Sequence, residues 1–311
     1  MMNRRTFMQA GSLAVAGALV GATKASGSMD TLIPGMKREA MTAPVSVKPL
    51  RSGFSVLENT GGNITVFNGT DATLLVDSGI AEQHAQILRA LEAMQKAPVC
   101  EVVNTHWHFD HASGNPWFRE GGARLTAHEN TLKHLLVPTT VRPWHYTFEP
   151  IQAVGRPTNL LKGDSSLEID HERASIHFVQ HAHTDGDLLV HFEHADIVST
   201  GDIFWNGHFP FIDYDTGGSI DGMIRATEIA LALSTMNTIF VPGHGSPAST
   251  RDLAEYQAML RDARGAVADL KSKGHTQAEV VAARPTARFD SKYGTYAVGP
   301  DDFVALVFEG V

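Results

Sequence analysis

The densest chemistry in this sequence lies in Thr105-His106-Trp107-His108-Phe109-Asp110-His111, where three imidazoles and a carboxylate fall within six residues. Side chains at i and i+2 of an extended chain point the same way, so His106 and His108 can meet one cation. A turn at Asp110 would let Asp110 and His111 face a second cation alongside. Such a group is costly to bury unless something binds it. Imidazole with carboxylate suits zinc, iron, manganese or nickel better than calcium or magnesium.

Four ligands from one loop cannot complete two metal shells, so others must come from elsewhere. Three residues qualify, each near glycine at the end of an apolar run: His183 in His181-Ala182-His183-Thr184-Asp185-Gly186-Asp187, Asp202 in Thr200-Gly201-Asp202, and His244 in Pro242-Gly243-His244-Gly245. Glycine there lets the backbone turn sharply and come close to a site. Among the 16 histidines, His84, His128, His134, His171, His177, His191, His194 and His275 sit in ordinary helix or strand contexts. His145, His181 and His208 stay open between surface, ligand-supporting and substrate-facing roles.

The elements that must position these groups alternate. Short β-branched runs at 53–58, 63–68 and 72–76, split by Gly61-Gly62 and Asn68-Gly69, read as a strand meander. Helical spacing covers 81–95, Pro98 follows, and 99–103 reads as a strand buried on both faces, with Cys100 a small buried hydrophobe in it. Helices are expected at 116–120 and 128–136 around a strand at 124–127, and a long aromatic loop over 137–157. Strands follow at 166–170, 174–180, 187–192, 196–200 and 238–241, with helices at 219–234 and 250–272. This pattern favours a layered α/β sandwich.

The N-terminus reads as an address. Arg4-Arg5 precede an uncharged apolar run from about Ala10 to Ala22, too short to span a bilayer, then small residues with cleavage sites near Ala22 or Ala25. Residues 1–28 therefore read as a twin-arginine-type signal, which implies a periplasmic or secreted protein with no stable membrane anchor after cleavage. Residues 29–50 read as an irregular lead-in, and 51–311 as a single catalytic domain. Loss of the three basic residues of the signal takes the formal charge from −9 to about −12, which disfavours a nucleic-acid partner. One cysteine allows no intrachain disulfide.

The order His-x-His-x-Asp-His, His-Thr, Gly-Asp and Pro-Gly-His-Gly resembles the metallo-β-lactamase-fold hydrolases over about residues 53–250, and Val76-Asp77-Ser78-Gly79 resembles their early strand-end motif. The resemblance implies a four-layer αββα sandwich. His106, His108 and His183 would bind one metal, Asp110, His111 and His244 a second, with Asp202 bridging and Asp77 orienting ligands. Aspartate at the bridging position is similar to glyoxalase II and the acyl-homoserine-lactone lactonases. Ala182 stands where many relatives have Gly, and Trp205 where some lactonases carry an assisting Tyr.

The implied activity is hydrolysis of an ester, lactone, thioester or amide of a small molecule. Two divalent ions, expected to be zinc, would hold a bridging hydroxide, and Asp110 would be the catalytic residue that orients it and passes a proton. A β-lactamase, a mononuclear iron persulfide dioxygenase and a non-catalytic metal-binding protein are the alternatives. Trp144, Tyr146, Phe204, Trp205 and Phe209 are expected to form an apolar mouth over the metals.

Overall fold

The computed structural model of the protein describes residues 32–94 and 97–311. The segment read as a signal lies outside the described residues. The first sheet runs β1 (Ser46–Pro49), β2 (Phe54–Glu58), β3 (Ile64–Asn68), β4 (Thr73–Val76), β5 (Val99–Val103), β6 (Arg124–His128), with β7 (Thr139–Val141) and β8 (Tyr146–Phe148) forming a separate hairpin before the edge strand β9 (Asn159–Leu161). Strands β1–β4 are antiparallel neighbours, and β4, β5, β6 and β9 pair in parallel. The second sheet has the order β10 (Ser165–Ile169), β11 (Glu172–Val179), β12 (Asp187–Phe192), β13 (Ile197–Trp205), β14 (Ile239–His244), β15 (Ala248–Ser249), and only β13–β14 is a parallel pair.

Side-chain alternation explains why the two sheets face each other. On β4, Leu74 and Val76 point into an inter-sheet core with Val103, Leu188, Val190 and Phe192. The residue between them, Leu75, points the other way, onto Ile87 and Leu91 of α2. Likewise Leu189 of β12 turns away from its neighbours Leu188 and Val190 toward the outer helices. A sheet apolar on both faces needs a cover on both, and helices supply the outer ones.

In chain order the helices are α1 (Leu32–Ala40), α2 (His84–Met94), α3 (Phe109–Ala112), α4 (Asn115–Glu120), α5 (Glu129–Leu135), α6 (Ile220–Ala232), α7 (Thr250–Ser272), α8 (Gln277–Ala283), α9 (Asp290–Tyr293) and α10 (Pro300–Glu309). The longest, α7, starts at a capping box in which Ser249 and Asp252 satisfy each other's backbone amides. Its buried stripe is Leu253, Tyr256, Leu260, Ala263 and Val267, at helical spacing. Burying each large member stabilises the fold by about 1.5–3 kcal/mol before entropy is counted. The result is the expected αββα sandwich.

Three local expectations differ. Residues 29–50 are not irregular throughout. They hold α1, anchored by the fully buried Ile33, and the edge strand β1. Pro34 sits in the first turn of α1 and Pro49 ends an edge strand, positions where a missing amide proton costs little. The aromatic stretch 137–157 contains the β7–β8 hairpin rather than loop alone. On β5, Cys100 is exposed and only the last three residues are buried. Glu101 among them is held by Arg124 and Thr126.

Candidate metal centre

Parallel strands end together, and ligands collect at such ends. Here β4 delivers Asp77, β5 the loop from Asn104 to His111, and β14 His244. Asp77 has left-handed backbone (φ +68°), a conformation that Asp tolerates better than most residues. Asp202 is not beyond its strand, as the sequence suggested, but within β13, where the register against β14 shifts between Ser199 and Gly201 and again before Trp205. Such a bulge re-aims a side chain. Two glycines then clear the space: a Cβ on Gly243 would lie 2.0 Å from Asp202 Oδ1, and one on Gly62 would lie 2.2 Å from the His111 ring.

All seven expected ligands converge and all are buried. His106, His108, His183 and Asp202 make one group and Asp110, His111 and His244 another, with the candidate ligand atoms of each group within 4.8 Å of one another. Ligands of one ion, each about 2.0–2.2 Å from it, lie at most about 4.4 Å apart, close to that spread. The Asp202 carboxylate stands between the groups. Its Oδ2 is 3.4 Å from His183 Nε2 and 3.8 Å from His106 Nε2. Its Oδ1 is 3.1 Å from His111 Nε2 and 3.4 Å from His244 Nε2. Asp110 Oδ2 lies 3.4 Å from His244 Nε2 and 3.7 Å from His111 Nε2.

The surrounding hydrogen bonds assign the imidazole tautomers. His111 Nδ1 donates to Asp77 Oδ2 at 2.8 Å, and Asp77 also accepts from the Thr105 amide and hydroxyl. With its hydroxyl proton on Asp77, Thr105 Oγ1 accepts from His106 Nδ1 at 3.0 Å. His183 Nδ1 donates to the Phe211 carbonyl at 2.9 Å, and His108 Nε2 donates to Asp213 Oδ2 at 3.0 Å. In all four rings the other nitrogen therefore presents a lone pair to the centre.

That arrangement asks for cations. His183 Nε2 and His108 Nδ1 face each other at 2.9 Å with no proton left for either. His106 Nε2, His111 Nε2 and Asp202 Oδ1 are buried and have no hydrogen-bond partner. Burial lowers the pKa of His183 to about 3 and that of His106 well below the usual value, which favours the neutral, metal-binding form. Burial pushes His111 the same way, but Asp202, Asp110 and Asp77 outweigh it and hold His111 well above its ordinary value. These carboxylates want a positive charge beside them, and a divalent cation can replace that proton. The residues fit divalent metal ions.

Sequence reasoning did not single out Asp213, Asp187, Thr105 or Asn63. Asp187 closes the His183 turn by accepting from the His183 and Thr184 amides and the Thr184 hydroxyl. Asn63 grips the His244 segment, donating to Pro242 O at 2.9 Å and Gly245 O at 2.8 Å. The Thr-x-x-Asp spacing of Thr184 and Asp187 was a readable turn signal. Nothing in the sequence tied Asp213 to His108.

The expected apolar mouth is largely wrong. Phe204 and Phe209 are fully buried, the first packed on Tyr256 and the second stacked on Phe303 at 4.3 Å. Trp144 is also buried and packs on Phe211, 5.1 Å from the His108 ring. Trp205 is buried against the His244 ring at 4.2 Å and so backs a ligand. Tyr146 joins Trp107, Phe109 and Phe148 in a separate groove that none of the seven ligand residues lines. Tertiary packing decides this: Phe204 and Trp205 lie on a strand buried along its whole length, and Trp144 and Phe209 lie in connections that pack into the same core. Of the open histidines, His145 is exposed, His181 Nδ1 donates to the Gly217 carbonyl at 2.8 Å, and His208 lines a cleft with His244.

A family model described as the metallo-beta-lactamase superfamily matches residues 57–266. Among solved structures, the inverting sec-alkylsulfatase Pisa1 from Pseudomonas sp. is similar with a TM-score of 0.67 and 13% identity, over 88% of this chain and 51% of that one. This chain thus spans about half the length of that relative. The BLEG-1 B3 metallo-beta-lactamase gives a TM-score of 0.57 at 18% identity, over 70% of this chain and 99% of that one. A metallo-beta-lactamase from Pontibacter korlensis gives 0.52 at 17% identity, over 70% and 93%. Likeness at these identities concerns the fold.

Proposed function

Because the chain belongs to the metallo-beta-lactamase superfamily of metal-dependent hydrolases, we propose that it is an exported enzyme that holds two divalent ions, zinc by preference, and hydrolyses a neutral ester, lactone or thioester. The observation that carries this reading is Asp202, whose two oxygens face the two ligand groups separately. A structural ion needs no such shared carboxylate. Bound divalent cations supply an acidified water and a Lewis acid for the scissile carbonyl.

The protein's own groups do the rest. His106, His108 and His183 would hold one ion, and His111 and His244 with Asp110 would hold the other. Asp77 and Asp213 fix the rings that they accept from, so the ligand lone pairs stay aimed. Asp110, 3.4 Å from His244, is the carboxylate placed to accept a proton and return it to the leaving atom. No serine or cysteine nucleophile is needed, and Cys100 lies exposed on β5, away from these strand ends.

The cleft beside His244 supports a neutral substrate over an anionic β-lactam. Glu58 lines it, Glu39 lines the adjoining recess, and the nearby cation Lys48 is engaged by Glu58 at 2.9 Å and Ser246 at 3.2 Å. Purified protein is expected to carry about two zinc ions per chain and to lose hydrolysis of a lactone, ester and thioester panel on chelation, with recovery on zinc addition. A chelator-insensitive activity without bound metal would end the metalloenzyme reading. One iron per chain would favour the persulfide dioxygenase, and preferred turnover of a chromogenic cephalosporin would favour the β-lactamase.

Export rests on the N-terminal residues. Changing Arg4 and Arg5 together to Lys is expected to leave the precursor uncleaved in the cytoplasmic fraction, because the arginine pair is the address that a receptor reads. Unchanged delivery to the periplasm would point to an ordinary secretory signal.

A further inference from the structure

Two small recesses open beside the metal centre, and one side chain stands between them. The first, of about 120 Å3, is lined by Met36, Glu39, Ala40, Ala43, Ile80 and Tyr296, among others. The second, of about 220 Å3, holds His244, His208, Asn63, Ser246 and again Tyr296. Asn59 and Gly61 are common to both, so the recesses meet at Tyr296. The first is mostly apolar and the second mostly polar.

Tyr296 belongs to the turn between α9 and α10, outside the segment 57–266 that matches the family model. Its ring lies 4.5 Å from His208, 5.8 Å from His244 and 6.0 Å from Trp205. It is 38% exposed, so the ring is held on one side and open on the other. Its phenol O–H can donate a hydrogen bond, in a cleft that His244, His208 and Glu58 also line.

Building on the hydrolase reading above, we propose that Tyr296 sorts the substrate: its ring divides the mouth into an apolar recess for a short acyl chain and a polar recess for the departing group, and its phenol donates to the substrate beside His244. The substrate class that fits is a small neutral acyl compound with a short aliphatic arm and a polar leaving group. Long chains are excluded by the ring, and α1 closes the far wall of the apolar recess through Met36 and Ala40.

The test compares the zinc-loaded wild type with Tyr296→Phe and Tyr296→Ala on p-nitrophenyl esters from acetate to octanoate. Calorimetric titration with acetohydroxamate, butyrohydroxamate and octanohydroxamate gives a readout independent of turnover. Tyr296→Phe is expected to keep the short-chain preference while kcat/KM and butyrohydroxamate affinity each fall about tenfold, the cost of one lost hydrogen bond. Tyr296→Ala is expected to move the optimum toward octanoate and to tighten octanohydroxamate about tenfold. Zinc content and the visible spectrum of the cobalt-substituted protein should match across all three, which a merely structural role would not preserve. Unchanged chain-length and hydroxamate profiles in both variants, with zinc-dependent ester hydrolysis intact, would overturn the role of Tyr296 and leave the hydrolase reading standing. Altered hydroxamate profiles with no ester hydrolysis by any form would do the reverse.

Discussion

Asp202→Ala should leave a folded protein with at most half the metal of the wild type and a turnover lower by at least about 10^3-fold. The expectation follows from position. Four imidazole nitrogens lie 3.1–3.8 Å from the two Asp202 oxygens, two on each side. Among the described residues, no other carboxylate reaches both ligand groups. Removing it would leave the facing imidazole lone pairs, and any cations bound between them, without the carboxylate that offsets their repulsion. The loss should exceed the 10–100-fold typical of groups that only orient ligands. The backbone should tolerate the change, since β13 is covered on both faces and its bulge is formed by Gly201 and the register shift. Metal analysis, circular dichroism and steady-state rates on the same preparation check it. A variant with two ions per chain and wild-type turnover would remove Asp202 from the centre.

Asp110→Asn tests a different link. The substitution keeps the shape and one oxygen, so the short helix α3 and the His111 position should persist. It removes the negative charge that now lies 3.4 Å from His244 and 3.7 Å from His111, and with it the group placed to accept and return a proton. Turnover is expected to fall about 10^2–10^4-fold, the usual contribution of a positioned acid–base group. KM should change far less than kcat, because a neutral substrate has little to gain from that charge before reaction. Near-normal kcat would show that the proton travels by another route.

Both predictions concern residues that are legible in the amino-acid sequence. Six residues from His106 to His111 carry their geometry locally, since an extended step aligns i and i+2 and one helical turn swings Asp110 and His111 round. His183, Asp202 and His244 are legible because ligand types stand beside glycine at the ends of apolar runs. The sandwich is legible because strands apolar on both faces alternate with helices of period 3.6. Boundaries are less so: the pattern ends β13 before Asp202, whereas its bulge continues the strand through Trp205.

The sequence by itself determined the ligand types, the two-group division of the His106–His111 loop and the layered fold, since these depend on local periodicity and on chemistry that any fold must satisfy. Tertiary structure alone decided the rest. That Asp202 turns one oxygen to each group depends on a bulge in β13 and on the missing side chain of Gly243, which is distant in the chain and adjacent in space. The tautomers depend on Asp213 and Phe211, which lie at the centre only because their loop folds over it. Phe204 and Phe209 have the residue type of a mouth and became core, while Tyr296 came to line the cleft beside His244, because packing between elements distant in the chain fixes exposure, and residue type does not.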